Sequence, residues 1–374
     1  MELGKFIQQR EGYKAFVPNK FPPEQGFDFT KKLILKHSTA ERLLGKLDGI
    51  TQLLPDVDFF LFMYVRKDAA SSSQIEGTQA TMIDAIEAEA KTKETLPRDV
   101  DDILHYIKAL NYGLKRLVDF PISLRFIREL HKELMEKART TQFSDPGRFR
   151  KSQNWIGGTT PLNAGFVPPP PVEMNRALDD FEKFLHSKDD MLPLLKAGLI
   201  HAQFEAIHPF LDGNGRTGRL LITFYLWLSK LLDKPVLFLS SYFKQYQDIY
   251  YAKLNGYHHG KVEAWLEFLL DGIIDTADKA IAAAQAITDL RQEDMEKIQS
   301  LSKTASESGV VVLRKLFVLP IVNVNTIKEW TGFTRQGAQR VIDRFVELGI
   351  LEQKDRNEKY GRSFIYRHYV DLFT

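Results

Sequence analysis

Cysteine is absent from all 374 residues. Disulfides and cysteine metal sites are thereby excluded, and a reducing compartment fits. No apolar run approaches the roughly 18 residues that a membrane span needs. The first residues, Met1-Glu2-Leu3-Gly4-Lys5, lack the apolar core of a secretory signal. A cytoplasmic protein with no membrane partner is the expectation. Charge of one sign is missing too: 51 Lys and Arg against 49 Asp and Glu leave a net +2. No global field draws the chain to nucleic acid, so any basic surface must be local. What is present is ordinary for a globular protein, with 44% hydrophobic and 27% charged residues, and the length allows two or three domains with real cores.

Residues 1–30 carry Pro18, Pro22 and Pro23 among scattered aromatics without clear periodicity. They read as an extended arm over a helical body. Helical spacing starts with Leu33, Leu35, Leu43, Leu44, Leu47 and Leu53, and an aromatic-rich helix follows near 57–69. Ser71-Ser72-Ser73-Gln74-Ile75-Glu76-Gly77-Thr78 reads by itself as a capped surface helix or turn, because serine hydroxyls suit helix N-caps. Thr78 to Thr81 marks another helix start, over 81–92. Pro97 breaks the chain before an amphipathic helix over 98–118, and Pro121 and Ser123 open the next, where His131 sits at a core edge.

Periodicity is lost over 143–171. Asp145-Pro146-Gly147 is turn chemistry, and Asn154–Gly158 with Gly165–Val167 suggests two short strands before the stiff stop at Pro168–Pro171. An isolated hairpin is marginal in water and must lie against something; a flap over an active site is one use. Helices resume at 172–187, 193–207 and 216–232, and again at 236–255 with the cluster Tyr242, Tyr246, Tyr250 and Tyr251. One or two long helices over 262–300 read as a connector. From about 306, a helix, two more helices across the turn Thr331–Thr334, and strands at Ile350–Gln353 and Phe364–Tyr366 joined by a polar turn at 355–361 make a winged-helix pattern.

One stretch concentrates chemistry: His201 through His208-Pro209-Phe210-Leu211-Asp212-Gly213-Asn214-Gly215-Arg216-Thr217-Gly218-Arg219. Pro209 stops the apolar helix before it, since a proline disfavours helical geometry at His208. Gly213 and Gly215 allow backbone N–H groups at a helix start to approach an anion, with Asn214 as a neutral donor. Arg216 and Arg219, three apart, can address one polyphosphate, while Asp212 suits a Mg²⁺ that also binds phosphates. His208 has the intrinsic basicity to deprotonate a hydroxyl. These parts are those of phosphate-transfer chemistry, where positioning and electrostatics dominate. A P-loop is excluded, because the G-x-x-x-x-G-K-S/T lysine is missing and helices flank the loop on both sides. A zincin is excluded by the lack of H-E-x-x-H, and His201 with His208 has no evident third metal ligand.

The run from His208 to Arg219 resembles the Fic-family signature H-P-F-x-D/E-G-N-G/K-R-x-x-R at every defined position. The resemblance implies a mainly α fold: a Fic helical bundle with a small β-hairpin flap, and here a C-terminal winged-helix domain. The expected layout is an N-terminal helical region with an inhibitory motif over 1–118, a catalytic core over 119–272, a connector over 273–305 and the winged helix over 306–374. Ser72-x-x-x-Glu76-Gly77 resembles the family's inhibitory S/T-x-x-x-E-G/N motif, which displaces the surface-turn reading of Glu76. The implied activity is transfer of AMP from ATP to a Ser, Thr or Tyr hydroxyl of a target protein and of the chain itself. By residue, the resemblance makes His208 the base and Asp212 the Mg²⁺ ligand. It puts Gly213, Asn214, Gly215 and Arg216 on the α- and β-phosphates and Arg219 on the γ-phosphate, where Glu76 would compete for it. Tyr250 resembles the family's tyrosine near the base, with His258 or Asn255 less securely matched. Ile156 and Gly157 would pin the target by strand addition. Two other readings stay open: a chiefly AMP-removing enzyme, and a DNA-binding regulator that reads DNA through Thr334, Arg335, Gln336, Gln339, Arg340 and Arg344. Dimers are common among relatives, so a homodimer is a further expectation.

Overall fold

A computed structural model describes residues 2–54, 57–93, 95–136, 145–355, 357 and 361–373. The first thirty residues are more ordered than an extended arm. β1 (Gly4–Gln8) and β2 (Lys14–Pro18) pair antiparallel, with Gly4 opposite Pro18. Such a pair is marginal alone, and tertiary contacts hold it. The Phe16 N–H donates to the Val167 carbonyl (2.9 Å), and the buried Phe16 ring lies against Phe166 and His258.

Five helices follow: α1 (Lys31–Leu53), α2 (Val57–Ile75), α3 (Met82–Ala90), α4 (Val100–Arg116) and α5 (Leu124–Met135). Thr81 caps α3 in a reciprocal capping box with Asp84, and Ser123 caps α5. α2 corrects the sequence reading. It runs six residues past the expected end, so Ser71, Ser72 and Ser73 occupy its last turns and are buried rather than capping a start. Ser71 Oγ lies 3.0 Å from Ser241 Oγ and Ser72 Oγ accepts from Arg219 Nε at 2.8 Å. With distant partners satisfying them, these hydroxyls no longer compete with the helix backbone.

α6 (Pro171–His186), α7 (Pro193–Ile207) and α8 (Asn214–Leu228) come next. Both α6 and α7 place proline in the first turn, where its missing N–H costs nothing. α7 is buried from Leu194 to Ile207, as its apolar character on every side requires. It packs against α8 and takes a hydrogen bond from Trp265 Nε1 to the Gly198 carbonyl (2.8 Å). The helix expected over 236–255 is two, α9 (Ser240–Gln245) and α10 (Gln247–His258), broken at Tyr246. The two strands expected over 154–167 reduce to one antiparallel bridge between Ile156 and Phe166.

α11 (Val262–Gln299) is a single helix of 38 residues, packed along α1 and buried at intervals as far as Ile298. The chain beyond it forms α12 (Lys303–Leu316), β3 (Ile321–Asn323), α13 (Val324–Thr331), α14 (Arg335–Glu347), β4 (Glu352–Gln353) and β5 (Ser363–Ile365). The sheet order is β3-β5-β4, antiparallel throughout, and β3 had no counterpart in the sequence reading. Most of the turn expected at 355–361 lies outside the described residues. A last helix, α15 (Arg367–Val370), precedes a short turn that brings Phe373 onto Tyr64 of α2, ring centroids 5.2 Å apart. Lys354 reaches Glu87 of α3. The C-terminal part thus rests on α2, which carries Ser72 and ends just before Glu76, and on α3.

Candidate active site

α7 ends at His208, whose backbone is left-handed (φ 49°, ψ 61°). Pro209 bars the right-handed helical region, and a non-glycine residue pays about 1 kcal/mol or more for the alternative. The surroundings hold it there. Arg150, buried to 3% exposure, donates from Nε to the His208 carbonyl (2.9 Å), from Nη2 to that of Pro169 (2.6 Å) and from Nη1 to that of Ser152 (3.1 Å). Asn154 Nδ2 donates to the Phe210 carbonyl at 2.8 Å. Burial pulls the Arg150 pKa down to about 10, leaving it cationic at neutral pH.

The loop is closed from within by Asn214. Its Oδ1 accepts from the Phe210 N–H and its Nδ2 donates to the Phe210 carbonyl, both at 2.9 Å. Both ends of the amide are thus engaged within the loop, and Asn214, though buried, lines the cavity that the loop borders. His131 holds the other side. Its Nδ1 accepts from the Gly147 N–H (2.9 Å), so the neutral ring's proton is on Nε2, which donates to the Asp212 carbonyl (2.8 Å). Burial lowers the His131 pKa to about 4, which keeps it neutral. Gly213 is left-handed (φ 77°), and a Cβ there would meet Met135 Sδ at 2.7 Å. α8 begins at the next residue, with its N-terminus aimed at open space.

That space is a cavity of about 760 Å³ lined by Glu76, Ile156, His208, Gly213, Arg219 and Tyr251 among others, within the usual size for a ligand pocket. His208 Nδ1 is buried without a hydrogen bond, 3.6 Å from Glu205 Oε2, whereas Nε2 retains access. Asp212 Oδ1 accepts from the Gly213 N–H at 2.6 Å, and the side chain is 36% exposed. Arg219 is buried in the wall. Its Nη2 donates to Glu76 Oε1 (2.7 Å) and the Ser72 carbonyl (2.9 Å), and its Nε to Ser72 Oγ (2.8 Å). Burial alone would lower its pKa, but Glu76 and the phenols of Tyr250 and Tyr106 hold it above the ordinary value. Gly215 leaves the room that Glu76 occupies, since a Cβ would collide with its carboxylate. Gly77 follows Glu76 with φ 91°.

One expected residue sits elsewhere than the sequence implied. Arg216 lines no part of the cavity; it is buried with Nη2 3.3 Å from Met135 Sδ and 3.8 Å from Asp212, and Nη1 3.9 Å from Asp102. Tyr250 lines the cavity although it is only 1% exposed, its hydroxyl 2.8 Å from His201 Nε2, and the neighbouring Tyr251, 44% exposed, lines it as well. His258 is buried and stacked on Phe166 at 3.8 Å, anchoring the flap, and Asn255 lines the cavity. Ile156 lines it too, 36% exposed, with Gly157 turning beside it at φ 70°. Sequence reasoning missed Arg150, Asn154 and Glu205 as parts of the site. The first two lie in an aperiodic stretch, and Glu205 lies within an apolar helix; its burial there is the signal that could have found it.

The Fic/DOC family N-terminal model matches residues 34–115, and the Fic/DOC family model matches residues 121–226. Curated relatives named Protein adenylyltransferase Fic include one from Drosophila yakuba, 31% identical over 208 residues, which span 54% of this chain and 36% of the relative. Another, from Aedes aegypti, is 32% identical over 216 residues, 54% of this chain and 39% of the relative. The matched region is thus well under half of these relatives. Among solved structures, a Fic family protein from Desulfovibrio desulfuricans G20 superposes with a TM-score of 0.57 at 18% identity, covering 91% of this chain and 97% of that one. Fic-1 from C. elegans (residues 134–508) gives a TM-score of 0.52 at 18% identity, covering 68% and 73%. With both Fic models matched in order along a shared fold, the chain belongs to the Fic/DOC family.

Proposed function

We propose that the protein transfers AMP from ATP to a Ser, Thr or Tyr hydroxyl of a protein target, itself included, and that Glu76 restrains this by holding Arg219. The observation that carries the reading is one cavity holding the accessible Nε2 of His208, the N-terminus of α8 and the Arg219 guanidinium. The helix N-terminus, with the N–H of Gly215 in its first turn, suits an anion, while the Gly213 N–H is held by Asp212 Oδ1. Arg219 would take the γ-phosphate only after releasing Glu76. His208 would accept the proton of the attacking hydroxyl. Asp212 keeps Oδ2 free toward the cavity, which suits Mg²⁺, an ion that takes one or two carboxylates and fills its shell with phosphates and water. Bound there, the ion would neutralise phosphate charge as it develops. Tyr250 and Tyr251, which both line the cavity, would flank the nucleotide base. The exposed Ile156 edge would receive the target chain by strand addition. Incubation with ATP and Mg²⁺ followed by mass spectrometry tests this. AMP adducts should appear on the Glu76→Gly protein and vanish in Glu76→Gly/His208→Ala. No adduct in either would overturn the reading.

A second reading concerns the C-terminal part. A helix, a strand, two helices and an antiparallel strand pair support its assignment as a winged helix over 306–374, in a chain whose setting would be the cytoplasm. On α14, Arg335, Gln336 and Arg340 are exposed together, and Thr334 caps its N-terminus. That face suits phosphates and base edges of duplex DNA.

A further inference from the structure

Glu205 is a carboxylate in the middle of a buried apolar helix, 7% exposed, in a chain that otherwise keeps most of its charge at the surface. Burying a carboxylate without a partner is expensive. Among the described residues the one contact of ion-pair length to its carboxylate is from His208, Nδ1 to Oε2 at 3.6 Å, a pair that carries charge on both sides only when the ring is protonated. Gly218 of α8 opens the slot it fills, because a Cβ there would lie 2.7 Å from Glu205 Oε1. Oε1 and His208 Nδ1 are both buried and make no hydrogen bond, which leaves each the nearest polar group for the other to engage by a small closure. Burial pushes the Glu205 pKa up, but His208, His201 and Arg219 beside it bring the balance below the ordinary carboxylate value, so the anion persists.

We infer that Glu205 is a positioning residue for the base. Its carboxylate holds the proton of neutral His208 on Nδ1 and leaves the Nε2 lone pair toward the cavity. The inference rests on the AMP-transfer reading and supplies what that reading lacks, a reason for the base to have the right tautomer. In the transfer step the target hydroxyl oxygen forms a bond to the α-phosphorus, and the bond from that phosphorus to the bridging β-phosphate oxygen breaks. Pyrophosphate leaves with the electron pair of that bond. The hydroxyl proton passes to Nε2, making an imidazolium whose new charge faces Glu205. The carboxylate therefore acts twice, on the ring's orientation and on the charge that forms. A neutral side chain of equal size keeps the packing and loses the second effect.

The test is run on the Glu76→Gly protein, with the gate removed. Adding Glu205→Gln should lower kcat for AMP transfer on the order of 10-fold, and Glu205→Ala on the order of 100-fold, as befits losing part of a general-base contribution. KM for ATP should stay within about twofold in both, because the phosphates do not depend on Glu205. A merely structural glutamate would alter KM and thermal stability with kcat, or neither; kcat within about twofold of the parent in both variants overturns the inference. A second measurement needs no change at Glu205. The ¹⁵N spectrum of the imidazoles, with His208 assigned by comparison with His208→Gln, should show a protonated Nδ1 and a bare Nε2. A protonated Nε2 overturns the inference. Absence of transfer in the Glu76→Gly parent would instead defeat the functional reading, and the tautomer would still decide the contact.

Discussion

Replacing Glu76 by glycine removes one carboxylate from a buried arginine, and the contact's geometry sets the size of the effect. Arg219 is 2% exposed at its side chain, Glu76 is 35%, and the nitrogen-to-oxygen distance is 2.7 Å. Charges about 4 Å apart attract by roughly 4 kcal/mol at an effective dielectric near 20. Solvent reaches the glutamate, so screening trims this to about 2 kcal/mol. If ATP must displace Glu76 before Arg219 can bind the γ-phosphate, that energy appears in the barrier. Its removal should raise the initial rate about 30-fold, since each 1.4 kcal/mol is a factor of ten. The assay is incorporation of α-phosphate label from ATP into the protein itself. Glu76→Gln should recover much of the gain, because it keeps the length of the side chain and loses its charge. A rise below about threefold in Glu76→Gly would refute the competition. A full rise in Glu76→Gly with none in Glu76→Gln would show that bulk, not charge, closes the gate.

Arg150→Met should cost about 3 kcal/mol or more in urea denaturation, because several carbonyls about His208 lose a buried donor at once; a cost below about 1 kcal/mol would dismiss its role. His258, its pKa pushed down to about 3 by burial, stays neutral in the fold while the unfolded chain protonates below about 6.5. Stability attributable to it is thus complete above pH 6.5 and falls as the pH drops toward 3, by about 2 kcal/mol between pH 6.5 and 5. His258→Phe should lose less stability over that interval by this amount, and an unchanged slope would contradict it. The whole protein should bind duplex DNA with an affinity that falls steeply with salt, and Arg335→Ala/Arg340→Ala should flatten that slope; no binding at low salt would remove the second reading.

The loop from His208 to Arg219 was legible because its demands are local. A proline fixes the backbone of the residue before it, a glycine takes a left-handed turn, and a helix start gathers N–H groups whatever surrounds it. The same holds for the caps at Thr81 and Ser123. Resemblance extended the reading to Glu76 and Arg219, which are 143 positions apart and meet at 2.7 Å. It did not extend to orientation. Tyr250 and Tyr251 are neighbours of one type that both line the cavity, and only the seat of α10 against α7 buries the first and leaves the second exposed. Arg216 and Arg219 share one turn of α8, yet only Arg219 lines the cavity.

The serines of α2 and the glutamate of α7 mark the boundary most clearly. As residues, Ser71 to Ser73 favour a helix start, and Glu205 is a charge in an apolar run. Ser71 and Ser72 take their actual places because distant partners, Ser241 and Arg219, meet their hydroxyls, and Glu205 takes its place because Gly218 of the facing helix leaves room for its carboxylate. Backbone preference acts between near neighbours and can be read along the chain. The satisfaction of a buried polar group depends on what lies across the packed interface, and only the assembled helices decide that.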